Sequence, residues 1–220
     1  MTHVNETVAT EPSAADTASP AQRLLAAATE LFAAQGIRSV GIDLILRSSG
    51  VAKASLYSAY GSKDGLVIAY LDHLDQADRN RWSDGTKTLG GPRERILAFF
   101  DLAIAGAPAR NFRGCQYANA ATEFPDTQLP PVTAHRDWVL TTLTDNLRQL
   151  GAADPDSEAR QIQIVYDGAL AGSKMERSTA PIATARRLAE VLLDVSPGAA
   201  SPDHRRDIAR GDVEPHLPGR

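Results

Sequence analysis

The sequence predicts an all-α fold. In its central part, apolar residues recur three and four positions apart, a spacing that places them on one face of a helix, and runs of alternating β-branched residues are missing. Prolines and glycines fall between these segments, where helices begin and end. We expect three short N-terminal helices around one small core, followed by a larger body of longer helices.

The composition is that of a globular protein. Of the 220 residues, 43% are hydrophobic, and the formal net charge of -4 excludes a uniformly basic protein that coats nucleic acid by charge alone. No apolar run approaches the roughly 18 residues of a membrane span, and the N-terminus lacks a secretory signal, so we expect a cytoplasmic protein without membrane contact. Cys115 is the only cysteine and the histidines are scattered, so we expect no metal and no other cofactor.

Both ends of the chain are polar and lack apolar periodicity. Residues 1–19 carry three acids and no Lys or Arg, and residues 196–220 are interrupted by Pro and Gly, so we predict two disordered tails. A basic arm built on Arg205, Arg206 and Arg210 is the alternative for the C-terminal tail, but acidic residues alternate with these arginines.

The first helix has clear start and stop signals. Ser19 is a good cap, Pro20 suits the first helical position, and Gln22 stands where a capping box requires it. Gly36 is expected to end this helix in the left-handed conformation.

Two short helices and a glycine turn come next. Ile42 and Ile45 mark the second helix, Gly50 permits a tight turn, and Leu56 and Tyr60 mark the third. This is the arrangement of a helix-turn-helix, whose second helix enters the DNA major groove. Small side chains leave its outer face slim, and the other residues there can donate to phosphates or base edges. The slim positions are Ala52, Ala54 and Ser55, and the donors are Lys53, Tyr57 and Ser58.

These residues resemble the TetR family of transcriptional regulators. The resemblance rests on Ala28-x-x-Leu31-Phe32 with Gly36, on the run Gly50-Val51-Ala52-Lys53-Ala54-Ser55-Leu56-Tyr57, and on Ser62-Lys63-Asp64. It implies an all-helical homodimer with an N-terminal DNA-binding domain and a larger effector-binding domain. It also implies that residues 52–60 form the recognition helix, that Tyr57 and Lys63 contact phosphates, and that Lys53 and Ser55 contact bases or phosphates.

The chain departs from the family pattern at two DNA-proximal positions. Gly41 stands where the family often has Thr, so it can cap the second helix through its backbone but offers no hydroxyl to a phosphate. Tyr60 replaces the usual Phe, and its hydroxyl then needs solvent or a phosphate.

The charge is unevenly divided. Residues 20–65 hold five basic and three acidic residues, a net charge of +2, which leaves -6 for the rest of the chain. This division is typical of a DNA-binding head on an acidic body.

A fourth helix capped by Ser62 is expected to run toward Trp82, with a break from Gly85 to Pro92.

We predict that residues 112–124 are helical and contribute to a ligand pocket, because Cys115, Asn119 and Glu123 recur every four residues and so share one helix face. The aromatic candidates for its lining are Phe99, Phe100, Trp138 and Tyr166. The alternatives are that Asn119 and Glu123 satisfy backbone groups, that Cys115 is a small core residue or a redox sensor, and that the aromatic residues are plain core.

The last two helices carry apolar stripes. Val165, Ala169 and Gly172 with Gly168 allow close helix approach, and Leu188 and Val191 belong to the final stripe. The resemblance implies that these helices pair with their copies in a homodimer, whereas the stripes alone suit an internal bundle equally well.

The expected function is therefore a ligand-responsive, sequence-specific DNA-binding regulator and not an enzyme. Its predicted organisation is a DNA-binding domain in residues 20–66 and a ligand-binding and dimerisation domain in residues 67–195. We expect a repressor that a small molecule releases from a palindromic operator. An activator on the same fold, an all-helical enzyme using Cys115 or Glu123, and a helical interaction protein are the alternatives.

Overall fold

A computed structural model describes residues 18–195, so residues 1–17 of the predicted N-terminal tail and all of the predicted C-terminal tail lie outside the described residues. Ser19, at the end of the first predicted tail, belongs to the start of the first helix. Within that range the chain is all-α, as predicted, and contains nine helices. They are α1 (Pro20–Gln35), α2 (Ile42–Ser49), α3 (Lys53–Tyr60), α4 (Lys63–Thr86), α5 (Pro92–Gly106), α6 (Gln116–Glu123), α7 (Pro130–Leu150), α8 (Pro155–Glu176) and α9 (Ala180–Val195).

The predicted helix starts are confirmed where a side-chain cap was expected. Ser19 and Gln22 form a reciprocal capping box at α1, because the Ser19 hydroxyl accepts from Gln22 N while the Gln22 side chain accepts from Ser19 N. The Ser62 side chain accepts from Gly65 N at α4, as predicted. Helix α8 is capped in the same way, because the Asp154 side chain accepts from Ser157 N. Local sequence therefore sets these three helix starts.

The helix ends at glycine differ in conformation. Gly50 (φ 63°, ψ 28°) and Gly151 (φ 76°, ψ 27°) are left-handed. Gly36 ends α1 but has φ 90° and ψ 157°, so the expectation of a left-handed stop was wrong in its ψ value. The extended ψ sends the chain away from α1 toward buried Ile37 and Val40.

Two other predicted boundaries were also wrong. Helix α4 continues through Gly85 to Thr86, so the break begins later than Gly85. Residues 112–114 are not helical, because Phe112 and Gly114 have positive φ values of 54° and 69° and α6 begins only at Gln116. A positive φ is incompatible with a right-handed helix.

The buried apolar side chains form two cores. The first joins α1–α3 to the N-terminal half of α4 through Leu66, Tyr70 and Leu71, and it also takes in Tyr117 and Ala120 from α6. The second joins α5, α7, α8 and α9. Because α6 packs into the first core, the N-terminal three-helix unit is not packed in isolation from the body.

Helices α8 and α9 pack closely on each other at one glycine. A Cβ added to Gly172 would lie 2.9 Å from the Pro181 Cβ, so the close approach predicted from the small-residue stripe is confirmed at this point. Gly168 has no atom within 4 Å of its would-be Cβ and lies open. In the final stripe, Ile182 is buried, but Leu188 and Val191 are 48% and 55% exposed.

Among residues 18–195, no helix is both long enough and apolar enough to cross a membrane.

Candidate functional site

The predicted recognition helix is held by a few buried residues. Ile45 of α2, Val51 of the turn and Leu56 of α3 are buried in the first core, so α3 is fixed by its inner face. Its outer positions remain accessible. Ala52, Lys53, Ala54, Tyr57 and Ser58 are exposed, and Ser55 is half-buried.

Gly41 caps α2 through its backbone alone, as its sequence position suggested. Its carbonyl oxygen accepts from Leu44 N and Ile45 N at 3.2 and 3.3 Å, and no side-chain cap is present. A Cβ at Gly41 would meet nothing within 4 Å, so a larger side chain has room there.

Two of the predicted DNA-contacting residues hydrogen-bond inside the domain. The Tyr60 hydroxyl donates to the Ala21 carbonyl oxygen at 2.7 Å, and the Lys63 ammonium donates to the Ile37 carbonyl oxygen at 2.8 Å. Lys63 also lies over the Phe32 ring, and burial lowers its pKa although Asp64 and Glu123 raise it. Both side chains thus tie α3 and the start of α4 to α1 and its following loop.

A cavity of about 620 Å³ lies in the helical body. Such a volume suits a small organic ligand. Its aromatic part is a cluster in which Trp82 stacks on Phe99 at 5.6 Å, Trp138 meets Phe99 edge-on at 5.7 Å, and Tyr166 meets Phe99 at 6.1 Å between ring centroids. Five of the seven residues predicted to form the pocket line this cavity: Phe99, Cys115, Asn119, Trp138 and Tyr166. Phe100 does not line it, because its side chain is fully buried in the second core.

Glu123 also lies outside the cavity lining. Its carboxylate accepts from Arg38 N at 2.6 Å and so joins the end of α6 to the loop after α1. The alternative reading, in which Glu123 satisfies a backbone group, describes this contact. Since α6 begins at Gln116, Cys115 is its N-cap, and the Cys115 sulfur accepts from Ala118 N at 3.4 Å. The expected helical face of three residues is therefore reduced to Asn119 and Glu123.

The environment of Cys115 opposes the redox alternative. Burial raises the pKa of its thiol, which lowers the fraction of reactive thiolate. Asn119 has two partners, because it donates to the Arg113 carbonyl oxygen and accepts from Lys174 Nζ at 3.0 and 2.8 Å.

The cavity wall also contains a polar cluster that was not predicted from the sequence, formed by Tyr117, Asp78 and His135. The Tyr117 hydroxyl donates to Asp78 Oδ2 at 3.0 Å, and Tyr117 stacks on the His135 ring at 3.7 Å between centroids. His135 Nδ1 lies 2.9 Å from Asp75 Oδ1, yet burial outweighs this carboxylate and lowers the pKa of His135. The spacing of Asp75 and Asp78 on one helix face was visible in the sequence, but their partners come from other helices.

Comparison with known proteins agrees with this geometry. Residues 24–70 match the family of bacterial regulatory proteins described as the tetR family. A crystal structure of a TetR-family transcriptional regulator from Streptomyces coelicolor is 35% identical and superimposes with a TM-score of 0.74, covering 80% of this chain and 96% of that one.

Two curated relatives are transcriptional regulators as well. The HTH-type transcriptional regulator LmrA of Bacillus subtilis is 26% identical over 170 residues, 74% of this chain and 88% of its own length. The regulator YjdC of Escherichia coli is 25% identical over 181 residues, 77% of this chain and 91% of its own length.

A helix-turn-helix head on a helical body with a cavity of ligand size defines a ligand-responsive DNA-binding transcriptional regulator rather than an enzyme. This chain belongs to the TetR family.

Proposed function

We propose that the protein is a dimeric repressor that binds a palindromic operator and is released from it by a small molecule in the cavity. The observation that carries this proposal is the course of α4. Its first half packs in the core of the DNA-binding head, and its second half lines the cavity. The cavity-lining residues of α4 are Leu74, Asp78, Arg81 and Trp82.

Release follows from linkage between the two sites. A ligand that fits the cavity better when α4 is tilted shifts the population toward that orientation. Tilting α4 moves the head that contains α3, so the two recognition helices of a dimer no longer match their half-sites. By the same linkage, operator DNA must weaken ligand binding by the same factor.

The second copy is proposed to bind the exposed apolar face of α8 and α9. Five large apolar side chains of this face are 48–80% exposed, although a monomer usually buries such a set. Gly168 lies open between them and lets another backbone approach. The five residues are Ile164, Met175, Leu188, Val191 and Val195.

The DNA contacts are assigned to the outer face of α3 and its flanks. Lys53, Tyr57 and Ser58 are exposed donors, and the small Ala52 and Ala54 allow close approach to the groove. Ser55 is assigned to base contact and Gly41 to close backbone approach. Tyr60 and Lys63 contact phosphates only if they exchange their carbonyl partners for DNA.

The proposed domains keep a boundary near residue 66. Residues 20–66 form the DNA-binding domain and residues 67–195 the ligand-binding and dimerisation domain. Support comes from the second core, which lies wholly within residues 67–195. The first core holds the DNA-binding domain together but extends past the boundary, because the N-terminal half of α4 and α6 also pack in it.

The test has two stages. The purified full chain selects fragments of its source genome at two salt concentrations, and we expect an inverted repeat with half-sites about one helical turn apart. A reporter fused to the selected promoter is then measured with and without the protein. Lower expression with the protein supports a repressor, whereas higher expression identifies an activator. Diffuse, salt-sensitive enrichment alone would contradict operator-specific binding.

A further inference from the structure

We propose, resting on the effector role of the cavity, that its ligand is an aromatic carboxylate whose anionic group is bound at Arg113 and Gln116. Arg113 Nε and Gln116 Nε2 are buried nitrogen atoms without a hydrogen-bond partner, and both residues line the cavity. Both atoms are donors. A ligand that satisfies them must therefore present an acceptor.

The unsatisfied donors are informative because such groups are costly. An unpaired buried polar group destabilises the fold, and a bound ligand that supplies the missing partner is one reason for a protein to retain it. In residues 18–195 only one other buried side-chain N or O atom lacks a partner, Asn146 Oδ1, and Asn146 does not line the cavity. The unpartnered donors are thus concentrated at the cavity.

The charges that line the cavity favour an anion. Its two carboxylates are already paired, Asp78 with Arg81 at 2.6 Å and Asp167 with Arg136 at 2.7 Å. In the described part of the chain, the remaining lining cations form no ion pair with a carboxylate. These cations are Arg110, Arg113 and Lys174. The cavity therefore has a surplus of positive charge in a chain whose net charge is -4.

The rest of the lining specifies the body of the ligand. Trp82, Phe99, Trp138 and Tyr166 form a continuous wall of rings, which favours a flat aromatic group by edge and face contacts. An Arg fork matches a planar carboxylate and can bind it through two parallel hydrogen bonds. Together these features select an aromatic acid over a neutral apolar compound.

Arg113 also connects this anion site to the DNA-binding head. Its Nη1 donates to the carbonyl oxygen of Ala34, near the end of α1, at 3.0 Å. A carboxylate that binds the same guanidinium changes its position and hence its contact with Ala34. Arg113 therefore has a second role in the proposal, which is to transmit ligand binding to α1.

The experiment uses 2-naphthoate as the probe and 2-naphthalenemethanol as its uncharged partner. Trp82 and Trp138 are the two tryptophans of the chain and both line the cavity, so quenching of intrinsic fluorescence reports occupancy directly. For the full-length protein we expect 2-naphthoate to bind at least about tenfold more tightly than the alcohol. Arg113→Gln should abolish this preference, and Gln116→Leu should reduce it.

Arg148→Gln is the matched control. Arg148 lies at the far end of α7, makes only surface contacts with Asp145 and Asp156, and does not line the cavity. It should leave the preference for the acid unchanged. Thermal melting of each variant checks the fold, and Gln116→Leu keeps the test valid if Arg113→Gln fails to fold.

Three results would overturn the proposal. They are equal binding of acid and alcohol, binding of neither up to millimolar concentration, and a full preference for the acid in the Arg113→Gln and Gln116→Leu variants. Operator binding at saturating 2-naphthoate is measured separately. Loss of operator affinity in the wild type and in Gln116→Leu, but not in Arg113→Gln, supports transmission through Arg113, whereas equal loss in all three contradicts it.

The failure of effector-controlled release can be told apart from the failure of the ligand class. If the protein binds the acid selectively but its operator affinity does not change, the proposed carboxylate site stands and the proposed release from the operator is contradicted. If the alcohol releases the protein from the operator as effectively as the acid does, the proposed release stands and the proposed carboxylate site is contradicted.

Discussion

The ammonium of Lys63 donates a hydrogen bond to the carbonyl oxygen of Ile37, 2.8 Å away, so the first residue of α4 is joined to the loop that follows α1. This contact gives Lys63 a role in the packing of the head as well as its proposed role at a phosphate. Lys53, at the start of α3, has an exposed side chain and serves as the comparison for a lysine proposed to contact a phosphate without a packing role.

We predict that Lys63→Met lowers the free energy of unfolding by about 1 kcal/mol, because the half-exposed hydrogen bond is lost. Lys53→Met should leave stability unchanged and reduce the slope of log affinity against log salt by about 1, because one phosphate contact is lost. Thermal melts and operator titrations at several salt concentrations measure both quantities. Unchanged stability in Lys63→Met would contradict the packing role.

Tyr60 is expected to stabilise the head through its hydroxyl. Tyr60→Phe removes the bond to Ala21 and should cost about 1 kcal/mol, seen as a melting temperature roughly 2–4 °C lower. Tyr57→Phe is the control, because Tyr57 is 45% exposed, and it should lower operator affinity without changing the melting temperature. A melting temperature that falls only in Tyr57→Phe would reverse the two assignments.

Two glycines of the head should respond oppositely to substitution. Gly36→Ala places a side chain at φ 90° and close to a Glu123 oxygen, so we expect a loss of at least about 1 kcal/mol. Gly41→Ser has an ordinary φ of -80° and open space, and its hydroxyl can cap α2. It should gain a few tenths of a kcal/mol and bind the operator more tightly. Chemical denaturation and operator titration measure these effects, and destabilisation by Gly41→Ser would contradict the cap geometry.

A charged residue on the exposed apolar face of α8 and α9 should prevent the second copy of the chain from binding there. Leu188→Glu places a carboxylate among the exposed apolar residues, and burying an unpaired charge in an interface is costly, so we expect a monomer by light scattering. Operator affinity should fall with it. Thr141→Glu, on the exposed side of α7, serves as the control and should leave the mass unchanged. A dimeric Leu188→Glu variant would place the interface elsewhere.

His135 should make stability depend on pH. Its surroundings contain Asp75, Asp78, Arg79 and Tyr117, and burial lowers its pKa in the folded chain. The unfolded chain then binds the proton first as pH falls through about 6.5, so the contribution of His135 is present above that pH and is lost toward lower pH.

The melting temperature of the wild type should therefore fall between pH 7.5 and pH 5, and His135→Gln should fall less. His73→Gln is the control, because His73 lies exposed on α4. An identical fall in the wild type and His135→Gln would mean that His135 does not carry this dependence.

Much of the head was predictable from sequence because its determinants are local. The capping box at Ser19, the left-handed Gly50 and the spacing of Leu56 within α3 depend on residues a few positions apart. A helix cap or a turn needs only its neighbours to form, so a pattern of neighbours is enough to predict it. The resemblance to the TetR family rests on the same local patterns.

The composition of the cavity was decided only by the tertiary structure. Tyr117 and Asp78 are 39 residues apart, His135 and Asp75 are 60 apart, and no spacing rule joins them. Glu123 shares a helix with Asn119, yet packing turns its carboxylate to Arg38 N and leaves Asn119 in the cavity wall. Sequence periodicity identifies the face on which a side chain lies, but its partner depends on how distant helices pack, which is a property of the whole chain.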